Sequence, residues 1–229
     1  VKREGRVLWS GAADRPMAPA SLTKMMTALL VLEHGRLDDV VTVSRAAAAQ
    51  PGSRIGLKPG EQLRAYDLLA ATVVRSANDA CRALADHGGP LFVARMNERA
   101  KALGLENTHF VDPCGHDRPG QYSTAADLAR LAEQVVRHPE YLRLARIPSM
   151  RITTLDRKRR YWFQNTNALI GRYKGVLGVK TGSTSRAGHC LVALAEKDGV
   201  QVLIVLLNAP NRWWNAVGLL DRAFEARSL

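Results

Sequence analysis

The apolar residues change period part-way along the chain, and that change limits the fold more than any other feature. From Ser21 to about residue 137 they recur at helical spacing. Leu22, Met25, Met26, Leu29, Leu30 and Leu32 make one wide face that stops at Gly35. Segments 66–74, 78–87 and 91–103 read as further helices. A fourth starts at Thr124, where Asp127 three residues on makes a capping-box-like pair. Beyond Pro148 the period shortens. Residues 151–154 and 160–163 read as a polar hairpin, and 176–180, 188–196 and 200–207 as strands. Val7, Leu8 and Trp9 add a short strand near the start, 40–43 a brief one, and 51–60 an ordered loop rich in Pro and Gly. A helical middle is thus bracketed by strand-forming ends. The expectation is a single α/β (α+β) domain over residues 1–229, with an antiparallel sheet built from both ends and covered by helices. The sheet lobe takes about 1–20 and 150–229, and an inserted helical lobe about 21–149.

A chain of 229 residues can bury one sizeable core. It has no apolar run of 18 residues, and residues 1–20 lack the continuous apolar block of a secretory signal. An exported protein would therefore be present in mature or trimmed form. The net charge is +12, from 33 Lys and Arg against 21 Asp and Glu. The basic residues are interspersed with acids, and the densest cluster, Arg157-Lys158-Arg159-Arg160, is short. With no zinc-finger spacing and no RNP-type motif, nucleic acid is not expected as a partner. The charge reads as a solvated basic surface, with peripheral contact to anionic envelope polymers as its natural use. Cys81, Cys114 and Cys190 form no C-x-x-C, and an odd count cannot be a complete disulfide framework. Cys81 and Cys190 sit in apolar stretches and read as small buried hydrophobes, which leaves the redox compartment open.

Three short motifs carry chemistry. In Ser21-Leu22-Thr23-Lys24 the hydroxyl and the amine lie three apart, on one face of a helix. A serine needs a base to become a nucleophile, and lysine can serve only when burial or a nearby cation has lowered its pKa. At a helix start, the Ser21 N–H also points at a developing oxyanion. Ser76-Ala77-Asn78 opens the helix predicted at 78–87, where Ser76 could relay a proton and Asn78 bond a substrate amide. Lys180-Thr181-Gly182 ends a strand pattern. There a strand edge can pair with an extended peptide, Gly182 admits close approach, and Lys180 and Thr181 can hold a carboxylate. Each motif alone is explained as well by ordinary capping or a strand exit. Together, in this order, they match the S-x-x-K, S-D-N and K-T-G set of β-lactamases and penicillin-binding proteins, with S-A-N as the middle element here.

The surrounding residues narrow the resemblance. Pro19 to Ala28, Leu57-Lys58-Pro59-Gly60-Glu61, Arg75 to Cys81, Met96-Asn97, Leu103-Gly104-Leu105, Asn107 to Phe110, Tyr122 to Ala125 and Val179 to Gly188 resemble low-molecular-mass D-alanyl-D-alanine carboxypeptidases over nearly the whole chain. The resemblance implies the DD-peptidase fold, with about five antiparallel strands. It implies Ser21 as nucleophile, with Lys24, Ser76, Asn78 and Lys180 as its catalytic partners. Thr181, Gly182, Ser183 and Thr184 would bind substrate, and the backbone N–H groups of Ser21 and Ser183 would form the oxyanion hole. It further implies a peptidoglycan stem peptide ending in D-Ala-D-Ala as substrate, β-lactams as inhibitors, no metal or organic cofactor, and an exported bacterial protein on the outer side of the membrane.

Two positions depart from the family's pattern. Many members carry Arg within N-x-N, where this chain has Asn165-Thr166-Asn167, so Arg186 is a speculative substitute. His189 stands where an aromatic often follows Ala-Gly, and it is read as structural. The β-rich C-terminal domain and amphipathic anchor of some members find no counterpart here, and the helix around Trp213, Val217, Leu220 and Phe224 is read as packing on the sheet. Rival readings are a serine β-lactamase, with Glu133 or Glu140 as a deacylating base outside the usual E-x-x-L-N, a DD-endopeptidase, and a non-catalytic wall-binding module. An anion-binding structural protein rests on charge alone.

Overall fold

The computed structural model describes residues 1–226. In chain order the elements are β1 (Lys2–Arg3), β2 (Arg6–Val7), α1 (Lys24–His34), β3 (Val40–Thr42), α2 (Arg45–Ala48), β4 (Gln62–Arg64), α3 (Ala65–Val74), α4 (Asn78–His87), α5 (Phe92–Ala102), α6 (Ala125–Val135) and α7 (Pro139–Ala145). There follow β5 (Ser149–Thr153), β6 (Arg160–Gln164), β7 (Val176–Thr184), β8 (Gly188–Lys197), β9 (Val200–Leu206) and α8 (Arg212–Glu225). Both ends of the chain meet in one antiparallel sheet of order β2-β1-β9-β8-β7. The hairpins β3–β4 and β5–β6 form separate two-stranded sheets, and β5–β6 packs on α3 rather than joining the main sheet.

The central strands are unbroken apolar runs because they are covered on both faces. In β8, Val192 and Leu194 point into the main core, while Leu191, Ala193 and Ala195 point the other way. In β9, Leu203 faces the main core, and Val202 and Ile204 face α8 through Leu220 and Ala223. This is the two-residue period of a strand read on both sides. Helix α8 is therefore a core element, although Trp214 on its outer side is exposed. The edge strand β7 runs against α7, where the Tyr141 hydroxyl donates to the carbonyl of Val179.

Helix α1 shows why the site lies in the middle of the molecule. Its first turns, Lys24 to Leu29, are buried on every side, enclosed by α3, α4, α5 and α6. A helix buried all round needs apolar residues all round, which Met25, Met26, Ala28 and Leu29 supply. Each buried Leu or Met contributes about 1.5–3 kcal/mol. The lysine in this run is carried into the core with them. Gly35 ends the helix at φ 76°, a left-handed conformation that glycine adopts without Cβ strain.

The structure differs from the sequence reading in several places. The N-terminal strand expected at Val7 to Trp9 is instead the tight β1–β2 hairpin, and Trp9 lies outside it. Pro139 does not merely follow a helix: it opens α7 at a position where its missing N–H costs nothing. The short α2 and β4 were hidden by lengths of four and three residues. Thr124 caps α6 by accepting from the Asp127 N–H, but Asp127 does not reach back; its carboxylate accepts from Asn107 N–H and the Thr108 hydroxyl. Lys180-Thr181-Gly182 lies inside β7, which continues to Thr184. Cys81 is not a free small hydrophobe. It forms a disulfide with Cys114, their Cα atoms 5.9 Å apart, while Cys190 is free and buried. The pair is separated by 33 residues, and only the folding of α4 against the loop after α5 brings it together.

Candidate active site

Ser21 sits in a turn of 3-10 helix, Ala20 to Thr23, that leads directly into α1. Ala20 before it has φ 49°, a costly conformation for a residue with a Cβ. Lys24 follows three residues later, and its Nζ lies 2.9 Å from Ser21 Oγ. The same nitrogen is 2.7 Å from Asn78 Oδ1 and also bonds the carbonyl of Cys114. A neutral amine has two N–H bonds and one lone pair. If Asn78 Oδ1 and the Cys114 carbonyl take the two hydrogens, the lone pair is left facing the Ser21 hydroxyl. Asn78 is held in turn by its Nδ2, which donates to the carbonyl of Pro51 at 2.6 Å. Both ends of the Asn78 amide are thus engaged within the protein.

A second amine is paired with the serine of the middle motif. Lys180 Nζ donates to Ser76 Oγ at 2.7 Å and to its neighbour's carbonyl, Thr181 O, at 2.9 Å. Ser76 also has a positive φ, 60°, so strained backbone stands at two of the three motifs. Burial lowers the pKa of both amines. Lys24 falls from 10.5 to about 7, with the Asp112 carboxylate pulling the other way. Lys180 lies well below the usual lysine range, by burial first and then by the charges of Lys24 and Arg212. Burial, more than a neighbouring cation, is what makes Lys24 available as a base near neutral pH.

The edge strand β7 forms one wall. A Cβ on Gly182 would come within 3.1 Å of both Ala20 Cβ and Ser21 N, so glycine lets the strand lie against the serine's backbone. Thr181 Oγ1 is 2.6 Å from Thr166 Oγ1, the residue standing in place of the family's Arg. Asn165 places that threonine by donating to the carbonyls of Ala145 and Ile147, both at 2.9 Å. Arg186, the speculative substitute, is an exposed turn residue whose N–H donates to Asp117. The guanidinium that does lie behind this strand is Arg212, which donates to the carbonyls of Gly182 (2.8 Å) and Cys190 (3.2 Å). No motif in the sequence marks Arg212, because only the packing of α8 on the sheet brings it behind β7. Ser183 Oγ is 3.1 Å from His189 Nδ1 on the exposed rim, and Thr184 donates to Asp117 at 2.7 Å.

The segment 112–117 was also missed, because its role is carried by backbone. Asp112 Oδ1 gathers the N–H groups of Cys114, Gly115 and His116, and the His116 ring faces the same carboxylate. Burial alone would raise that carboxyl, but the bonds and charge of His116 and the N–H of Cys114 outweigh it and hold it at about 2. The one sequence signal was the second cysteine, left without a partner. Glu133 and Glu140 are engaged elsewhere: Glu133 pairs with Lys2 beneath the sheet, and Glu140 with Arg143 at 2.8 Å on an exposed helix face.

Ser21, Lys24 and Asn78 thus form one hydrogen-bonded cluster, and the Lys180–Ser76 pair stands close enough for the Lys24 charge to act on Lys180. Comparison with known proteins gives the arrangement a family: residues 2–211 match the peptidase S11 family, D-alanyl-D-alanine carboxypeptidase. The chain belongs to that family. D-alanyl-D-alanine carboxypeptidase DacF of Bacillus subtilis is 37% identical over 96% of this chain and 59% of its own length. DacC of Escherichia coli is 38% identical over 90% of this chain and 54% of its own length. The chain thus spans a little over half the length of these relatives. The crystal structure of Streptomyces K15 DD-transpeptidase superposes with a TM-score of 0.92 at 31% identity, covering 97% of this chain and 94% of that one. The antiparallel five-stranded sheet with its helices is the DD-peptidase fold of this carboxypeptidase family.

Proposed function

We propose that the protein is a serine D-Ala-D-Ala carboxypeptidase that removes the terminal D-Ala of peptidoglycan stem peptides through an ester on Ser21. The observation that carries this reading is Lys24, fully buried, with a pKa of about 7 and a nitrogen 2.9 Å from Ser21 Oγ. In this reading the stem peptide lies along the free edge of β7, which offers it unpaired backbone groups. Thr181, with Thr166 behind it, and Thr184 receive its terminal carboxylate, and Ser183 lines the same rim. Ser21 attacks the penultimate D-Ala carbonyl as Lys24 takes its proton. The N–H groups of Ser21 and Ser183 stabilise the oxyanion, and Gly182 keeps the strand close enough for both to reach it. Asn78 orients the Lys24 amine. Ser76, bonded to Lys180, passes a proton to the departing D-Ala nitrogen, and water then cleaves the ester. A β-lactam acylates Ser21 in the same way but its leaving group stays tethered.

Two features support a place outside the cytoplasm. A buried disulfide joins Cys81 and Cys114, a bond that persists in oxidising compartments. The basic charge suits an anionic envelope. Among the described residues no helix is long and apolar enough to cross a membrane.

The direct test is the intact mass of the protein after brief exposure to benzylpenicillin, with peptide mapping and D-Ala release from a pentapeptide. One adduct on the peptide containing Ser21, together with released D-Ala, is expected. An unmodified protein, or an adduct elsewhere, would remove the basis of the reading.

Gly115 gives a second test. Its φ is +87°, and a Cβ there would stand 2.0 Å from the Ala20 carbonyl oxygen and 3.0 Å from Ser21 N. Gly115→Ala must therefore push the backbone of the nucleophile, and it also carries left-handed strain. Penicillin acylation is expected to slow by about 100-fold, the scale that a 1 Å misplacement costs, in a protein that still melts cooperatively. Acylation at the wild-type rate would show that the two loops yield without disturbing Ser21.

A further inference from the structure

We infer that the Cys81–Cys114 disulfide is a positioning element of the active site, because it ties together the two supports that orient the Lys24 amine. The inference rests on the reading of Lys24 as the base for Ser21. One N–H acceptor of that amine is Asn78 Oδ1, in the first turn of α4, and the other is the carbonyl of Cys114 itself. Cys81 lies three residues after Asn78 in the same helix. The disulfide therefore joins the helix turn that carries one acceptor to the residue that carries the other. Both half-cystines are almost wholly buried, so the bond also closes the space behind the amine to water.

The rest of the loop is held, but not at this point. Asp112 binds the N–H groups of Cys114, Gly115 and His116, which fixes the loop's own shape. Thr27 Oγ1 donates to the Pro113 carbonyl at 2.6 Å, one turn beyond Lys24 on α1. Neither tie sets the distance between the Cys114 carbonyl and Asn78. Without the disulfide the middle of the loop, around Cys114, can shift away from α4 while its ends stay tied through Gln121 and Asp117. The carbonyl then withdraws from Lys24, the lone pair loses its fixed direction toward Ser21, and water can solvate the ammonium. The charged and titratable groups around the amine are Asp112 and His116 on this loop and Lys180 on β7, with Arg212 behind Lys180. Renewed hydration then favours the ammonium, since burial is the largest cause of the present shift.

The test is the rate of acylation by a fluorescent penicillin from pH 5.5 to 9.5, in wild type and in the Cys81→Ala/Cys114→Ala variant, with thermal melting alongside. Acylation of the variant at pH 7 is expected to slow by about tenfold, and the midpoint of its acid limb to move up by about one pH unit. The deficit should then shrink toward pH 9, while saturation by penicillin stays the same. An unchanged rate, or a slower rate with the wild-type midpoint, would overturn the inference. Wild-type protein from a reducing cytosol gives an independent arm. Titration after denaturation should count three thiols, falling to one as glutathione disulfide oxidises the pair and leaves as two glutathione thiols. Acylation at pH 7 should rise with the loss of those two thiols. A reduced chain as reactive as the oxidised one would overturn the inference, as would a chain that folds only with the bond in place. Wild type that is not acylated at all would instead refute the Ser21 reading.

Discussion

Ser21→Ala is expected to abolish covalent capture of penicillin and to slow D-Ala release by on the order of 10⁴-fold or more, the scale on which removal of a serine nucleophile acts. The fold should not change. Ser21 Oγ has one side-chain partner, Lys24, and the serine is only half-buried. Its backbone, whose N–H is the proposed oxyanion donor, is set by the turn Ala20 to Thr23 and by the approach of Gly182. The variant should therefore still bind penicillin reversibly and melt within a few degrees of wild type. Fluorescent labelling on a denaturing gel separates the outcomes. A covalent band that persists in the alanine variant would place the nucleophile elsewhere.

Lys24→Met is the complementary experiment, since it keeps the length and apolar stem of the side chain and removes the base. Acylation at pH 7 is expected to fall about 10²–10⁴-fold, the usual contribution of a positioned general base. In wild type the rate should itself drop about tenfold from pH 8 to pH 6 as the amine of pKa about 7 is protonated. The methionine variant should lose that limb. Stability should move the other way. The Lys24 pKa is about 7 when folded and near its ordinary 10.5 when unfolded. Between those values the unfolded chain holds a proton that the folded chain has released, so this group makes stability rise with pH across that window. Below pH 7 both states are protonated and the full cost of the buried charge remains. Lys24→Met should accordingly be more stable than wild type at pH 7, by a margin that narrows toward pH 10, as urea denaturation at several pH values would show. A variant that acylates normally would mean that Lys24 is not the base, whereas a stability margin that does not narrow toward pH 10 would mean that the lysine is not buried in its charged form at pH 7.

What the sequence determined without help was periodic or contiguous. The helical spacing of Leu22 to Leu32 dictated a buried helix, and a lysine three residues after a serine dictated that the two side chains meet at its start. The apolar segments 188–196 and 200–207 dictated strands of a sheet covered by helices. Such features are legible because they follow from bonds between near neighbours. Elements of two to four residues, such as β1, β4 and α2, carry too little pattern to be read. Tertiary structure decided what depends on distance in space: that Asn78 and the Cys114 carbonyl bracket the Lys24 amine, that Thr166 meets Thr181, and that Cys81 pairs with Cys114 rather than standing alone. It also decided the chemistry of Lys24. A lysine becomes a base near pH 7 only when other parts of the chain exclude water from it, and no stretch of sequence contains the walls that do so.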